Sequence, residues 1–132
     1  MDFWSKLAAS ARARNSLVCV GLDPQPGRLP KGYTSVATFL KDVIAATADV
    51  ACAFKPNIAF FEAEGIDGLR ALEATLARIP SDTPVILDAK RGDISSTADA
   101  YARAAFDWLG VDAITVNPYL GEDGVAPFLA HQ

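Results

Sequence analysis

Short apolar runs separated by longer stretches of helical period constrain the architecture of this chain more than any other feature. Residues 17–22, 51–54, 85–87 and 112–116 are apolar runs of strand length, each closed by polar or turn-forming residues. Residues 34–50, 58–79 and 95–109 have helical spacing instead; in the first, Val36, Phe39, Leu40, Val43 and Ile44 form one apolar face. A break is expected near Gly65, a stop at Gly110, a leading amphipathic helix within residues 1–14, and a last helix from about Gly121. The resulting order is βαβαβαβα behind a first helix. Antiparallel hairpins cannot accommodate helices between every pair of strands, so the order predicts a parallel sheet with crossover helices. No linker or change in composition divides residues 1–132, which read as one domain.

Polar residues fall where the strands end: Asp23, Lys55, Asp88 with Lys90, and Asn117. They recur at intervals of roughly thirty residues, the length of one βα unit. All therefore gather on the carboxyl rim of the sheet, where (β/α) barrels and open α/β folds place their sites. The densest stretch is Val85-Ile-Leu-Asp-Ala-Lys-Arg-Gly-Asp-Ile-Ser-Ser-Thr97. In an extended strand Asp88 and Lys90 share a face; Asp93 follows in the turn, and Thr97 lies one helical turn further on. A lysine held between two carboxylates at a strand mouth is costly to desolvate, and such groups concentrate at reactive sites. Asp-x-Lys alone reads equally as an ion pair capping a strand; Asp93 and Thr97 at these spacings favour chemistry. Lys55 can also be a strand-end lysine with a packed stem, and Asp23 and Asn117, each before a proline, can be turn formers.

Twelve basic residues against sixteen acidic ones give a net charge of −4, and no cluster of Lys and Arg interrupts the balance, which argues against a nucleic-acid surface. An anionic substrate would need a locally basic site. Cys19 and Cys52 each sit in an apolar run and read as small buried hydrophobes with free thiols, which suits a reducing cytoplasm. Residues 1–14 lack the apolar core of a signal peptide, and no stretch reaches transmembrane length. A mitochondrial presequence fits poorly with a helix that runs almost directly into the first strand. No dinucleotide fingerprint, Walker loop or His/Cys metal spacing is present. The single histidine, His131, leaves no basis for a Ser/His/Asp triad, and Arg91-Gly92 reads as a turn.

Four stretches together resemble the orotidine 5′-phosphate decarboxylase family, and in particular its bacterial members with an Asp-Ala-Lys-Arg-Gly-Asp-Ile core. The pattern Asp-x-Lys-x-x-Asp-Ile-x-x-Thr is met by Asp88, Lys90, Asp93, Ile94 and Thr97. Val20-Gly-Leu-Asp-Pro24, Phe54-Lys-Pro-Asn57 and Thr115-Val-Asn-Pro-Tyr-Leu-Gly121 are similar to that subgroup as well. The resemblance implies a (β/α)8 barrel of which this chain covers about the first four βα units behind a leading helix. Such barrels take about 250 residues, so the chain is expected to be a piece of a longer protein, with a self-pairing half-barrel as the alternative. The resemblance further implies decarboxylation of orotidine 5′-phosphate without metal or organic cofactor. Lys90 would stabilise and protonate the C6 carbanion, and Asp88 would sit by the departing carboxylate. Lys55 and Asp93 would complete an alternating charge network, and Asp23 would bind the ribose. Asp93 and Thr97 would reach a neighbouring subunit's site, which implies a homodimer, and Thr97 and Ile94 would join Asp23 in binding substrate. The residues that grip phosphate and pyrimidine would lie outside this chain.

Three other readings share parts of the pattern. A keto-sugar-phosphate decarboxylase or hexulose-phosphate synthase has the same Asp-x-Lys-x-x-Asp but uses Mg²⁺. A Schiff-base aldolase would use Lys90 or Lys55 as an amine nucleophile, although neighbouring aspartates keep a lysine protonated. A half-barrel that only binds or assembles is the non-enzymatic reading.

Overall fold

The structure, a computed structural model, describes residues 1–131. Strands β1 (Val18–Leu22), β2 (Ala51–Pro56), β3 (Ile86–Arg91) and β4 (Ala113–Val116) lie side by side in chain order and run parallel. Regular ladders join β1 to β2 and β3 to β4. The two pairs are tied by the single bridges Phe54↔Val85 and Asn57↔Asp88, the Phe54 amide donating to the Pro84 carbonyl at 3.1 Å.

The intervening segments form α2 (Val36–Thr47), the pair α3 (Ile58–Glu62) and α4 (Gly65–Leu76), and α5 (Ser95–Arg103). Gly65, at φ +64°, produces the expected break between α3 and α4, a backbone conformation that disfavours side chains. Residues 95–109 are helical as expected, but α5 widens into a π-type turn over Ala104–Trp108 before Gly110. The last helix starts later than the sequence suggests: a 3₁₀ turn at Glu122–Gly124 precedes α6 (Ala126–Leu129).

Helices and sheet enclose a core of Leu22, Leu40, Ile44, Phe54, Phe61, Leu72 and Leu87. Along β1, Val20 and Leu22 face this core and Cys19 and Gly21 face the other way. Among the described residues nothing covers that second face, so Cys19 is exposed in this chain, contrary to expectation; Cys52, in the inner strand β2, is buried as expected. Both thiols are free. Among the described residues, no helix is long and apolar enough to cross a membrane.

Helix α1 (Phe3–Arg14) is held at its start by the Asp2 carboxylate, which accepts the Ser5 amide, and at its end by Asn15 at φ 46°. It lies across the amino-terminal ends of the strands. Ser10 donates to the Cys52 carbonyl at 2.8 Å, and the Arg14 guanidinium reaches the Ala48 carbonyl and Thr83. Lys6 contacts both oxygens of Asp112 at 2.7 and 2.9 Å, while Asp112 also accepts the Val85 amide at 2.8 Å. Asp112, just before β4, therefore ties α1 to the residue that leads into β3 through one carboxylate. Replacing it with alanine leaves a half-buried ammonium and an amide without their acceptor, an effect of about 2–3 kcal/mol. Asp112→Ala should lower the urea midpoint accordingly; an unchanged midpoint would show that α1 adds nothing through this contact.

Candidate active site

The carboxyl rim, opposite α1, carries the charges. β2 runs two residues beyond its apolar stretch and so includes Lys55; β3 runs to Arg91, so Arg91 closes a strand and is not part of a turn. Asp88 is the centre. Its Oδ2 accepts from Lys55 Nζ at 3.1 Å, and its Oδ1 accepts from Lys90 Nζ at 2.6 Å and from the Thr115 hydroxyl at 3.0 Å. The Asp88 side chain is 12% exposed, against 34% for Lys55 and 70% for Lys90. One shielded carboxylate thus holds two ammonium groups, the second of which extends into solvent. The Lys90 bond, then that from Lys55, outweigh burial and lower the Asp88 carboxyl to about 2. Lys55 is shifted up, first by its bond to Asp88 and further by the charges of Asp88 and Asp23. Both ions are therefore fixed in their charged forms at neutral pH.

Asp88 and Lys90 do meet, but simple strand alternation does not bring them together. Leu87 pairs with Ile114 and Arg91 with Val116, so Asp88, Ala89 and Lys90 all stand opposite Thr115 alone. The excess makes a bulge, and Lys90 takes a left-handed conformation at φ 50°. Directly after it, Gly92 passes so close to β4 that an added Cβ would lie 2.3 Å from the Asn117 carbonyl oxygen. Only glycine fits that crossing. Arg91 is secured from both sides, paired to Glu62 of α3 and resting over the Tyr101 ring of α5 at 4.9 Å.

The remaining expected residues are distributed around this centre. Asp23 is exposed at the end of β1 and close enough to act electrostatically on Lys55. Asp93 does not join the lysines: its carboxylate accepts the Ile94 amide at 2.7 Å. Ile94 caps α5 and is 67% exposed, and Thr97 sits in the first turn of that helix, half-buried. Asn117 acts as a turn former, its side chain accepting the Tyr119 amide at 3.0 Å. Thr115 has no expected role from sequence, although the quoted motif begins on it; the signal was its position facing the bulge, which only strand register reveals. A surface hollow between α4 and residues 108–111 and another between residues 26–37 and the α3–α4 pair both lie away from Lys55, Asp88 and Lys90. The charged cluster lies on the open sheet face. Among the described residues, no group of three His, Cys, Asp or Glu side chains is placed to hold a metal ion.

Known proteins share this sequence pattern and this fold. The sequence pattern of the orotidine 5′-phosphate decarboxylase / HUMPS family matches residues 16–131. The chain belongs to that family. Orotidine 5′-phosphate decarboxylases of Herpetosiphon aurantiacus and of a Roseiflexus species are 53% and 55% identical to it, over 96% and 99% of the chain. A crystal structure of a putative orotidine-monophosphate decarboxylase from Toxoplasma gondii, 48% identical, superposes with a TM-score of 0.93 over 98% of the chain. One from Streptomyces avermitilis, 35% identical, gives 0.85. The chain spans about half the length of these relatives: 49% of the two sequences and 45% and 48% of the two structures. Its leading helix and four parallel βα units are thus the amino-terminal half of the (β/α)8 barrel of orotidine 5′-phosphate decarboxylases.

Proposed function

We propose that this chain carries the charged centre of an enzyme that decarboxylates orotidine 5′-phosphate to UMP. The observation that supports it most is the single shielded carboxylate, Asp88, gripped by two ammonium groups on adjacent strands. Loss of CO₂ from the pyrimidine C6 leaves an electron pair on that carbon with no simple route for delocalisation. Lys90 Nζ, the most exposed member of the cluster, would lie beside C6, stabilise the pair as it forms and then transfer its proton to carbon. Asp88, directed at the leaving carboxylate, would disfavour the bound ground state relative to the neutral product CO₂. Lys55 keeps Asp88 ionised and in place, and Asp23 would take a ribose hydroxyl. Proton and electron pair both end on C6, so the reaction balances without a cofactor.

Asp93 and Thr97 would serve a second copy, with Ile94 beside them in contact with its substrate, so the working enzyme is a homodimer with shared sites, and we place it in the cytoplasm. The exposure of Ile94 and the separation of Asp93 from both lysines are consistent with that role. The Mg²⁺-dependent branch of the family is the second reading. Against it, each oxygen of Asp88 already faces an ammonium group, and two positive charges at that distance oppose a divalent cation on the same carboxylate.

The test is loss of orotidine 5′-phosphate absorbance catalysed by the 132-residue chain and by a chimera completed with the second half of the Herpetosiphon aurantiacus relative. Turnover by the chimera that is unaffected by EDTA is the expected result. Turnover of a keto-sugar phosphate instead, abolished by EDTA and restored by magnesium, would replace this reading with the second.

A further inference from the structure

Thr115 has an unusual set of contacts. Its hydroxyl accepts the amides of Ala89 and Lys90, each at 3.0 Å, and donates to Asp88 Oδ1 at 3.0 Å. A threonine hydroxyl has one proton and two lone pairs, so this group is fully used. Since both lone pairs face N–H donors, the proton has one direction left, toward Asp88. These are the three consecutive residues that the bulge sets against Thr115 alone. A non-glycine residue in the left-handed region is held there against a steric penalty and needs support from its surroundings. The Lys90 amide bond to Thr115 is such a support, placed at the strained residue itself.

We infer that Thr115 is a positioning residue, whose hydroxyl holds the bulge of β3 in the shape that brings the Lys90 ammonium onto Asp88. It deepens the proposed function, on which its catalytic consequence rests. Lys90 is 70% exposed and has the side-chain freedom to swing away; what directs it is its backbone conformation. Thr115 fixes that conformation through one bond and orients the target carboxylate through another. Because β4 delivers the hydroxyl, the packing of β4 on β3 sets the lysine of β3. Asn117, whose amide donates to the Arg91 carbonyl at 2.7 Å, closes the far side of the same bulge.

The experiment compares the chain with its Thr115→Val and Thr115→Ser variants, valine keeping the shape and serine keeping the hydroxyl. Amide hydrogen exchange at Ala89 and Lys90 and the Asp88 carboxyl titration, followed by carbon NMR, are read in each. In Thr115→Val the two amides should exchange faster by about tenfold or more, as the loss of one hydrogen bond at each predicts. The Asp88 titration should move upward, while the Phe54 and Leu87 amides stay protected. Thr115→Ser should behave as the parent. Parent-like exchange and titration in Thr115→Val would overturn the inference, as would equal perturbation of both variants, since the hydroxyl would then not be the agent. Should valine not be accommodated, Thr115→Ala makes the same comparison with serine. None of these readouts requires substrate. Turnover measured on the same chains tests the catalytic consequence: kcat should fall in Thr115→Val with UMP affinity retained. Absence of turnover in the parent would count against activity of the chain and leave the exchange and titration results to decide on Thr115.

Discussion

Lys90→Ala should reduce decarboxylation of orotidine 5′-phosphate by about four orders of magnitude or more, with the fold unchanged. The size follows from two roles residing in one group: stabilising charge at C6 and delivering the proton, each worth about a hundredfold to a thousandfold or more. The fold is spared because the Lys90 side chain is 70% exposed and contributes nothing to the core. Alanine shares the steric preference of lysine against φ 50°, so the strain at the bulge is the same in the variant. Single-turnover rates of the completed enzyme, with product affinity measured in parallel, check this. Near-normal rates in Lys90→Ala would remove the lysine from the chemistry. Lost product affinity with an intact chemical step would make it a binding group instead.

Asp88→Ala should have the second largest effect, and it acts on charge rather than on a reacting atom. Without the carboxylate, Lys55 and Lys90 face each other with no counter-ion between them, and Lys55 loses the main cause of its upward shift. Turnover should fall by about a hundredfold to a thousandfold, while UMP, which lacks the carboxylate that Asp88 would face, binds at least as well. The same residue predicts a pH signature. Its folded-state carboxyl, at about 2, lies below its ordinary value. Its contribution to stability is therefore complete above the ordinary carboxylate range and is lost as pH falls toward 2. Because Lys90 is open to water, this contribution is on the order of 1 kcal/mol. Denaturation midpoints of the parent and Asp88→Ala should converge between about pH 5 and pH 2. A constant gap across that range would show that the ion pairs do not stabilise the fold.

The regular parts of the molecule follow from residue pattern alone. Parallel pairing was readable because helical stretches separate every strand, and the break at Gly65 because glycine is the residue that tolerates φ +64°. The gathering of Asp23, Lys55, Asp88 and Lys90 on one rim came from counting strand ends. The bulge could not be read this way. A period of two assigns Asp88 and Lys90 to one face for the wrong reason, since the face depends on how many residues of β3 stand against Thr115. Register is a property of two strands and leaves no mark on either one. Exposure of Cys19 was missed for a related reason: an apolar run signals a strand but not whether both its faces are covered. Asp93 lies apart from the lysines of its own chain, with its carboxylate turned to the Ile94 amide; spacing along a motif does not say which copy's site a residue serves.

Lys55 stands on β2 and Lys90 on β3, and between these two strands the backbone is joined only by the single bridges Phe54↔Val85 and Asn57↔Asp88 among the described residues. The Lys55–Asp88 ion pair spans the same seam. The two ammonium groups therefore meet where the sheet is most sparsely stitched. A slip of one strand past the other would change the lysine spacing before it disturbed either regular ladder, which makes the ion pair a gauge of how the two halves of this sheet are seated.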